Sequence, residues 1–182
     1  MPGLIPHPSS SAGAVQSVDV DTERRGARLH LRYALRGDLA RLRIAPLAPT
    51  RPGHDLWKHT CFEAFVGVVD TAPYNELNFS PSGEWAAFAF RAYRDGGPLA
   101  DVGLAPGLTI QRDVDRLVLD VQVELDRLSP AYALAALRLG LSAVIEADDG
   151  ALSYWALRHP PGKPDFHHAD AFALRLEPSG GE

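Results

Sequence analysis

Tyr74-Asn75-Glu76-Leu77-Asn78-Phe79-Ser80-Pro81-Ser82-Gly83-Glu84-Trp85-Ala86-Ala87-Phe88-Ala89-Phe90-Arg91 reads as two short strands joined by a tight turn. Ser80-Pro81-Ser82-Gly83 carries type I turn chemistry: serine first, proline with its φ preset second, glycine last. A turn closed between Ser80 and Gly83 sets Asn78 opposite Trp85, Glu76 opposite Ala87 and Tyr74 opposite Ala89. Side chains alternate across a strand. Leu77, Phe79, Ala86, Phe88 and Phe90 then share one face, which is core. The other face carries Tyr74, Glu76, Asn78, Trp85, Ala87, Ala89 and Arg91. A core would not take Glu76, Asn78 and Arg91 together without partners, so this second face is the candidate binding surface.

Outward from the hairpin, strand patterns dominate. Trp57 to Asp70 is a long strand whose Phe62, Ala64, Val66 and Val68 suit the core, leaving Trp57, His59, Cys61 and Glu63 opposite. Leu29, Leu31, Tyr33 and Leu35 alternate with basic and polar residues, and Leu39 to Ala45 reads as the partner of that strand. Leu117, Leu119, Val121, Val123 and Leu125 form the cleanest alternation, and Leu137 to Ile145 repeats it. Ser129-Pro130 predicts a short helical turn. Further strands are expected over Ser153 to Arg158 and Ala171 to Leu176. Many short strands with scarcely a helix predict an all-β fold, a single antiparallel β-sandwich of jelly-roll type. Residues 1–14 are expected as a flexible arm, 15–177 as the domain and 178–182 as a tail.

The chain has 182 residues, 46% of them hydrophobic, enough for one domain with a core. A net charge of −5 leaves no basic footprint for nucleic acid. Cys61 is the single cysteine, so no internal disulfide forms. Nothing approaches the ~20 apolar residues of a membrane span, and Met1 to Ser9 has no secretory pattern. The expectation is a cytoplasmic protein that binds neither nucleic acid nor membrane.

Glu63 and Glu76 could lie on neighbouring strands, an arrangement that serves glycoside hydrolysis at the right separation. A structural ion pair with Arg91 is the stronger reading, and catalysis is not expected. His159, His167 and His168 cluster with Arg158 and Asp165, but no paired spacing for a metal accompanies them. Their expected role is structural or ligand-facing, with no metal. Cys61 beside His59 has no orienting third group and reads as a buried thiol. Trp57, Trp85 and Trp155 could stack on the C–H faces of sugars while amide and charged groups bond the hydroxyls.

Three blocks together resemble a bacterial group of DOMON-like proteins: Leu56-Trp57-Lys58-His59-Thr60-Cys61-Phe62-Glu63, then Tyr74 through Trp85, then Tyr154-Trp155-Ala156-Leu157 with Pro164-Asp165-Phe166-His167-His168. These resemble in turn the family-nine carbohydrate-binding modules of bacterial glycanases, over about Val15 to Leu176. The resemblance implies a DOMON-type sandwich with a ligand cleft on one sheet, taking either sugar or haem. For sugar, Trp57, Glu76, Asn78, Trp85 and Arg91 match the clamping and hydroxyl-binding parts. For haem, relatives use a methionine ligand, and Met1 is the only methionine. A pair from Lys58, His59, His159, His167 and His168 would have to replace it. The expected function is therefore non-catalytic recognition of a saccharide-like small molecule, with no cofactor. The expected site is Trp57, Glu63, Tyr74, Glu76, Asn78, Trp85, Arg91, Trp155, Arg158, His159, Asp165 and His167. The alternatives are a haem protein with His or Lys ligands and a protein-interaction module.

Overall fold

Alternating apolar residues give the chain its strands, and their edges decide how the strands close. In a computed structural model that describes residues 2–11, 13–99 and 102–178, the strands are, in chain order, β1 (Gly3–Pro6), β2 (Val15–Arg25), β3 (Arg28–Gly37), β4 (Arg51–Pro52), β5 (Cys61–Val68), β6 (Tyr74–Phe79), β7 (Glu84–Ala92), β8 (Asp95–Pro98), β9 (Gly107–Arg112), β10 (Arg116–Glu124), β11 (Leu137–Glu146), β12 (Leu152–Ala156) and β13 (Leu174–Leu176). Between them lie only short 3-10 turns, so among the described residues the fold is all-β.

One sheet runs β1-β2-β3-β10-β9, the other β4-β7-β6-β5-β11-β12-β1, with β8 on β7 and β13 on β11. Every pairing but the short β4–β7 contact is antiparallel. β1 belongs to both sheets: Leu4 pairs with Val18 of β2, and Ile5 with Ala156 of β12. The sheet therefore curls over on itself, and its two halves face each other as a sandwich.

The core lies between those halves. Leu29, Leu31, Tyr33 and Leu35 of β3 and Leu117 to Val123 of β10 meet Phe62, Ala64 and Val66 of β5 and Leu137 to Ile145 of β11. Each such side chain contributes about 1.5–3 kcal/mol when fully buried. The Tyr33 hydroxyl crosses the layer and donates to the Glu63 carbonyl at 2.7 Å. That bond satisfies a polar atom which burial would otherwise penalise.

Three expectations give way here. Leu39 to Ala45 does not pair with β3, because β2 and β10 already occupy both edges of β3. It forms a 3-10 turn (Leu39–Arg41) and one bridge, Leu42 to Ala147. The expected arm supplies β1, with Leu4 buried in the core.

The hairpin differs by one residue. Ser80 N–H donates to the Glu84 carbonyl at 2.8 Å and Gly83 N–H to the Ser80 carbonyl at 3.0 Å, so the loop holds Pro81, Ser82 and Gly83. Gly83 has φ +92°, and a Cβ there would sit 2.7 Å from the Ala48 carbonyl oxygen, so only glycine fits. A type I turn followed by a left-handed glycine is the three-residue hairpin loop. The extra residue pairs Phe79 with Trp85, Leu77 with Ala87, Glu76 with Phe88 and Tyr74 with Phe90. A one-residue slip turns every side chain of a strand to its other face. Trp85 and Ala87 therefore point into the core, while Phe88 and Phe90 join Glu76 on the outer face.

Candidate functional site

The outer face of the β5–β6–β7–β11–β12 sheet is a grid of rows set by strand register. In one row Phe65, Glu76 and Phe88 are neighbours; in the next, Ser142, Glu63 and Asn78. Gly67, Tyr74 and Phe90 form a third. Glu63 and Glu76 are thus diagonal neighbours on adjacent strands, with phenylalanines on both sides of Glu76. Tyr74 and Phe90 stack at 4.8 Å between centroids and 11° between planes.

The segment from His159 to Phe172 passes over part of this face and is tied down at both ends. At one end Asp165 accepts from Tyr93 Oη at 2.6 Å, from the Arg94 guanidinium at 2.9 Å and from His167 N–H at 3.1 Å. At the other, His159 Nε2 bonds the Ile5 carbonyl of β1 at 2.9 Å, and His7 Nε2 bonds the Gly162 carbonyl at 3.1 Å. The segment leaves a cleft of about 510 Å³ whose lining includes Trp57, Lys58, Glu63, Phe65, Glu76, Phe88, Phe90, Arg94, Tyr154, Phe166 and His167.

A hydrogen-bonded chain runs into the cleft floor. Tyr74 Oη accepts the Arg94 backbone N–H at 3.1 Å and lies 2.8 Å from His167 Nδ1. His167 Nε2 faces Glu76 Oε2 at 3.5 Å, and Asn78 Nδ2 donates to Glu76 Oε1 at 2.9 Å. Burial, then the nearby Arg94 charge, pushes His167 down to about 4. The ring is therefore neutral at physiological pH. The partners favour the tautomer in which Nε2 carries the proton toward the carboxylate and Nδ1 accepts from the Tyr74 hydroxyl.

The two acids are held above the usual carboxylate range. Glu63 is buried at the cleft floor: burial raises it most, the Glu76 charge raises it further, and the Ser142 hydroxyl at 3.4 Å opposes both. Glu76 is raised by burial against the lowering effects of Asn78 and Arg94. Like charges in one low-dielectric site cannot both ionise cheaply. Asn78 Oδ1 is buried beside them with no hydrogen-bond partner.

Of the residues expected at the site, Trp57, Glu63, Glu76 and His167 line the cleft. Tyr74 and Asn78 sit behind them and orient His167 and Glu76, while Asp165 fastens the covering segment. The others lie elsewhere. Trp85 and Trp155 are on the core face, where Ser153 Oγ satisfies the Trp155 indole N–H at 3.0 Å. Arg91 is exposed and pairs with Asp95, not with Glu76. Its strand bulges between Phe90 and Ala92, and that end has left the covered sheet. Arg158 is exposed and outside the lining. His159 holds β1 instead of facing the cleft.

Among the side chains named as possible axial ligands, Lys58 and His167 reach the cleft. His59 is bound to Glu146, and His168 caps the turn that follows it. Cys61 is fully buried and burial raises its thiol well above normal, so it is no nucleophile. In a second recess of about 580 Å³, Glu146 is bonded by both Arg43 and His59.

Phe65, Phe88, Phe90, Phe166 and Arg94 line the cleft without having been expected there, and Tyr154 and Lys58, the latter expected only as a haem ligand, join them. Phe65 carried a signal, since the parity that put Glu63 outward puts Phe65 outward too. Phe88 and Phe90 follow from Gly83 as the third loop residue, and Tyr154 from the inward turn of Trp155.

No family model matches this chain, and no curated protein matches it. Among solved structures it resembles a "putative carbohydrate-binding protein" from Bacteroides uniformis ATCC 8492, with a TM-score of 0.57 at 15% identity over 85% of this chain and 75% of the other. At that identity the likeness is one of fold.

Proposed function

We propose that this chain is a non-catalytic binding domain that takes a saccharide in the aromatic-walled cleft over Glu63 and Glu76. The observation that carries this reading is the combination of flat apolar walls with a polar floor. Phe65, Phe88, Phe90, Tyr154 and Phe166 offer ring faces for sugar C–H surfaces, and Trp57 stands half-exposed at the rim. The floor supplies acceptors for hydroxyl protons in Glu63 and Glu76, with Asn78 behind them. A largely apolar pocket with a few convergent polar groups is the usual form of a small-molecule site. The fold neighbour described as a "putative carbohydrate-binding protein" supports the same reading. So does the resemblance of the Trp57, Tyr74–Trp85 and Pro164–His168 blocks to DOMON-like proteins.

Glu76 is engaged by Asn78 and His167 and Glu63 by the Ser142 hydroxyl, so both acids are held in place as polar groups of the floor. Titration of mono- and oligosaccharides with tryptophan fluorescence tests the proposal, since Trp57 reports from the rim. A saturable change, lost in Trp57→Phe and in Phe88→Ala, is expected. No response to any sugar by fluorescence or calorimetry rejects the reading, and a Soret band on adding haem to the native protein would replace it with the haem alternative.

A further inference from the structure

The floor of the cleft is rich in acceptors and short of donors. Glu63 and Glu76 occupy diagonal positions on β5 and β6 and are 3% and 6% exposed. Asn78 is fully buried beside Glu76, with its Nδ2 committed to that carboxylate and its Oδ1 unpartnered. Ser142 Oγ–H and the His167 ring are the other groups turned toward the acids.

Charged and titratable groups reach this floor from every side, and none neutralises it. From the turn before β5, Lys58 lines the cleft but pairs with Asp55 at 2.9 Å and lies 5.3 Å from the Trp57 ring. From the β7–β8 turn, Arg94 is held by Asp165 at 2.9 Å. The covering segment presents neutral His167. Beneath and beside the acids, Cys61, Tyr33 and Tyr74 are all raised by burial and stay uncharged. Tyr154 stands on the β12 wall. Among the described residues, then, two buried carboxyl groups share one site, no lysine or arginine forms an ion pair with either, and Arg94, held by Asp165, acts on Glu76 only from a distance. A buried acid pair without a counter-ion retains a proton.

Around that floor stand the π faces of Phe65, Phe88, Phe90 and Tyr154. Aromatic faces attract cations, and a carboxylate hydrogen bond to a charged donor is roughly twice as strong as a neutral one. A hydroxyl ligand would use the acceptors but leave the pair uncompensated; an ammonium group would satisfy both.

We infer that the saccharide taken by this cleft carries a basic nitrogen, with its ammonium seated between Glu63 and Glu76. The inference rests on the saccharide reading and narrows it to amino sugars with a free amine. Seating the cation ionises the acid pair, so binding releases a proton and tightens as pH rises. That trend holds up to the point where the amine loses its own proton, about pH 7.7 for an α-amino group.

The test is calorimetric titration of the full chain with glucosamine, galactosamine and mannosamine, each against its neutral parent hexose and its N-acetyl derivative. At least one amino sugar is expected to bind about tenfold or more tightly than both counterparts, as a gain of about 1.4 kcal/mol requires. Its heat should vary with the ionisation enthalpy of the buffer, the sign of proton release, and its affinity should rise between about pH 5.5 and 7. Glu76→Gln and Glu63→Gln should each remove that preference, bringing the amino sugar to within about threefold of its own neutral parent in the same variant. Because the proton release is read on the unmodified protein, the test does not depend on either variant folding. Equal affinity for free-amine, neutral and N-acetylated sugars overturns the inference and leaves the saccharide reading standing. Binding of no sugar at all overturns both.

Discussion

His167→Gln is the substitution that most directly probes the electrostatics of the cleft. The folded chain holds this imidazole at about 4 against about 6.5 in an unfolded chain. A histidine depressed in the native state leaves the unfolded state binding more protons as pH falls, so stability is lost on acidification below about 6.5 and continues to be lost to about 4. At 1.36 kcal/mol per pKa unit the full displacement is worth about 3 kcal/mol for a ring sealed from water. The His167 side chain keeps 15% of its surface exposed, and screening reduces the expectation to about 2 kcal/mol. Glutamine keeps a donor for Glu76 but does not titrate. At neutral pH the variant is expected to be about 1–2 kcal/mol less stable, through lost edge contacts with Phe65 and Phe90, each at 5.0 Å. Urea denaturation of both proteins from about pH 7.5 to 4.5 should show the wild-type advantage shrinking and then reversing. The raised acids Glu63 and Glu76 act in the opposite sense but are present in both proteins, and the glutamine amide still faces Glu76, so the difference reports chiefly on the imidazole. A difference independent of pH would refute the argument that His167 is held neutral by its surroundings.

Other expectations follow from the same geometry. Gly83→Ala, which forces a Cβ to 2.7 Å from the Ala48 carbonyl at φ +92°, should cost about 1–3 kcal/mol in urea unfolding. Trp85→Ala should cost about 3–5 kcal/mol because that indole is in the core, whereas Trp57→Ala should stay within about 0.5 kcal/mol and remove the fluorescence response to ligand. Glu63→Gln should gain on the wild type as pH rises past about 4.3, since an acid raised in the folded state contributes stability below its unfolded value that is lost as pH rises; no gain in relative urea midpoint between pH 4 and pH 8 would count against that burial cost. Asp165→Asn should loosen the covering segment, read as faster amide exchange over residues 159–168 with β3 and β10 unchanged.

How much of this was legible in sequence depends on whether a strand is wet on one side. β3 and β10 alternate leucine and valine with arginine, aspartate and glutamine because one face meets water, and their inward residues could be read directly. β5 and β6 are buried along nearly their whole lengths, and β7 carries apolar residues on both faces. Phe88 and Ala87 serve either parity equally well, so nothing but the turn fixes which points inward. Ser80-Pro81-Ser82-Gly83 supports a two-residue or a three-residue loop, and that single choice exchanged Trp85 for Phe88 at the cleft. The same ambiguity exchanged Trp155 for Tyr154. Glu63, Glu76 and His167 were legible because a charged or titratable group in an apolar strand or beside one has to be accounted for. The partners of Asp165 lie about seventy residues away in the chain, and sequence spacing alone could not have supplied them.

The short strand β1 sets an order on how this chain becomes whole. Its backbone is held on one side by Val18 and Asp19, close in sequence, and on the other by Trp155 and Ala156. The second contact closes a loop of about 150 residues, and such closure is reached only after most local structure has formed. Until then the edges of β2 and β12 are open templates, and a β1 from another molecule fits the gap as well as the chain's own. Refolding at high protein concentration should therefore yield strand-exchanged dimers that dilution suppresses, and strictly monomeric refolding at every concentration would exclude this route. The last seam to close is the one at which two copies can be mistaken for one.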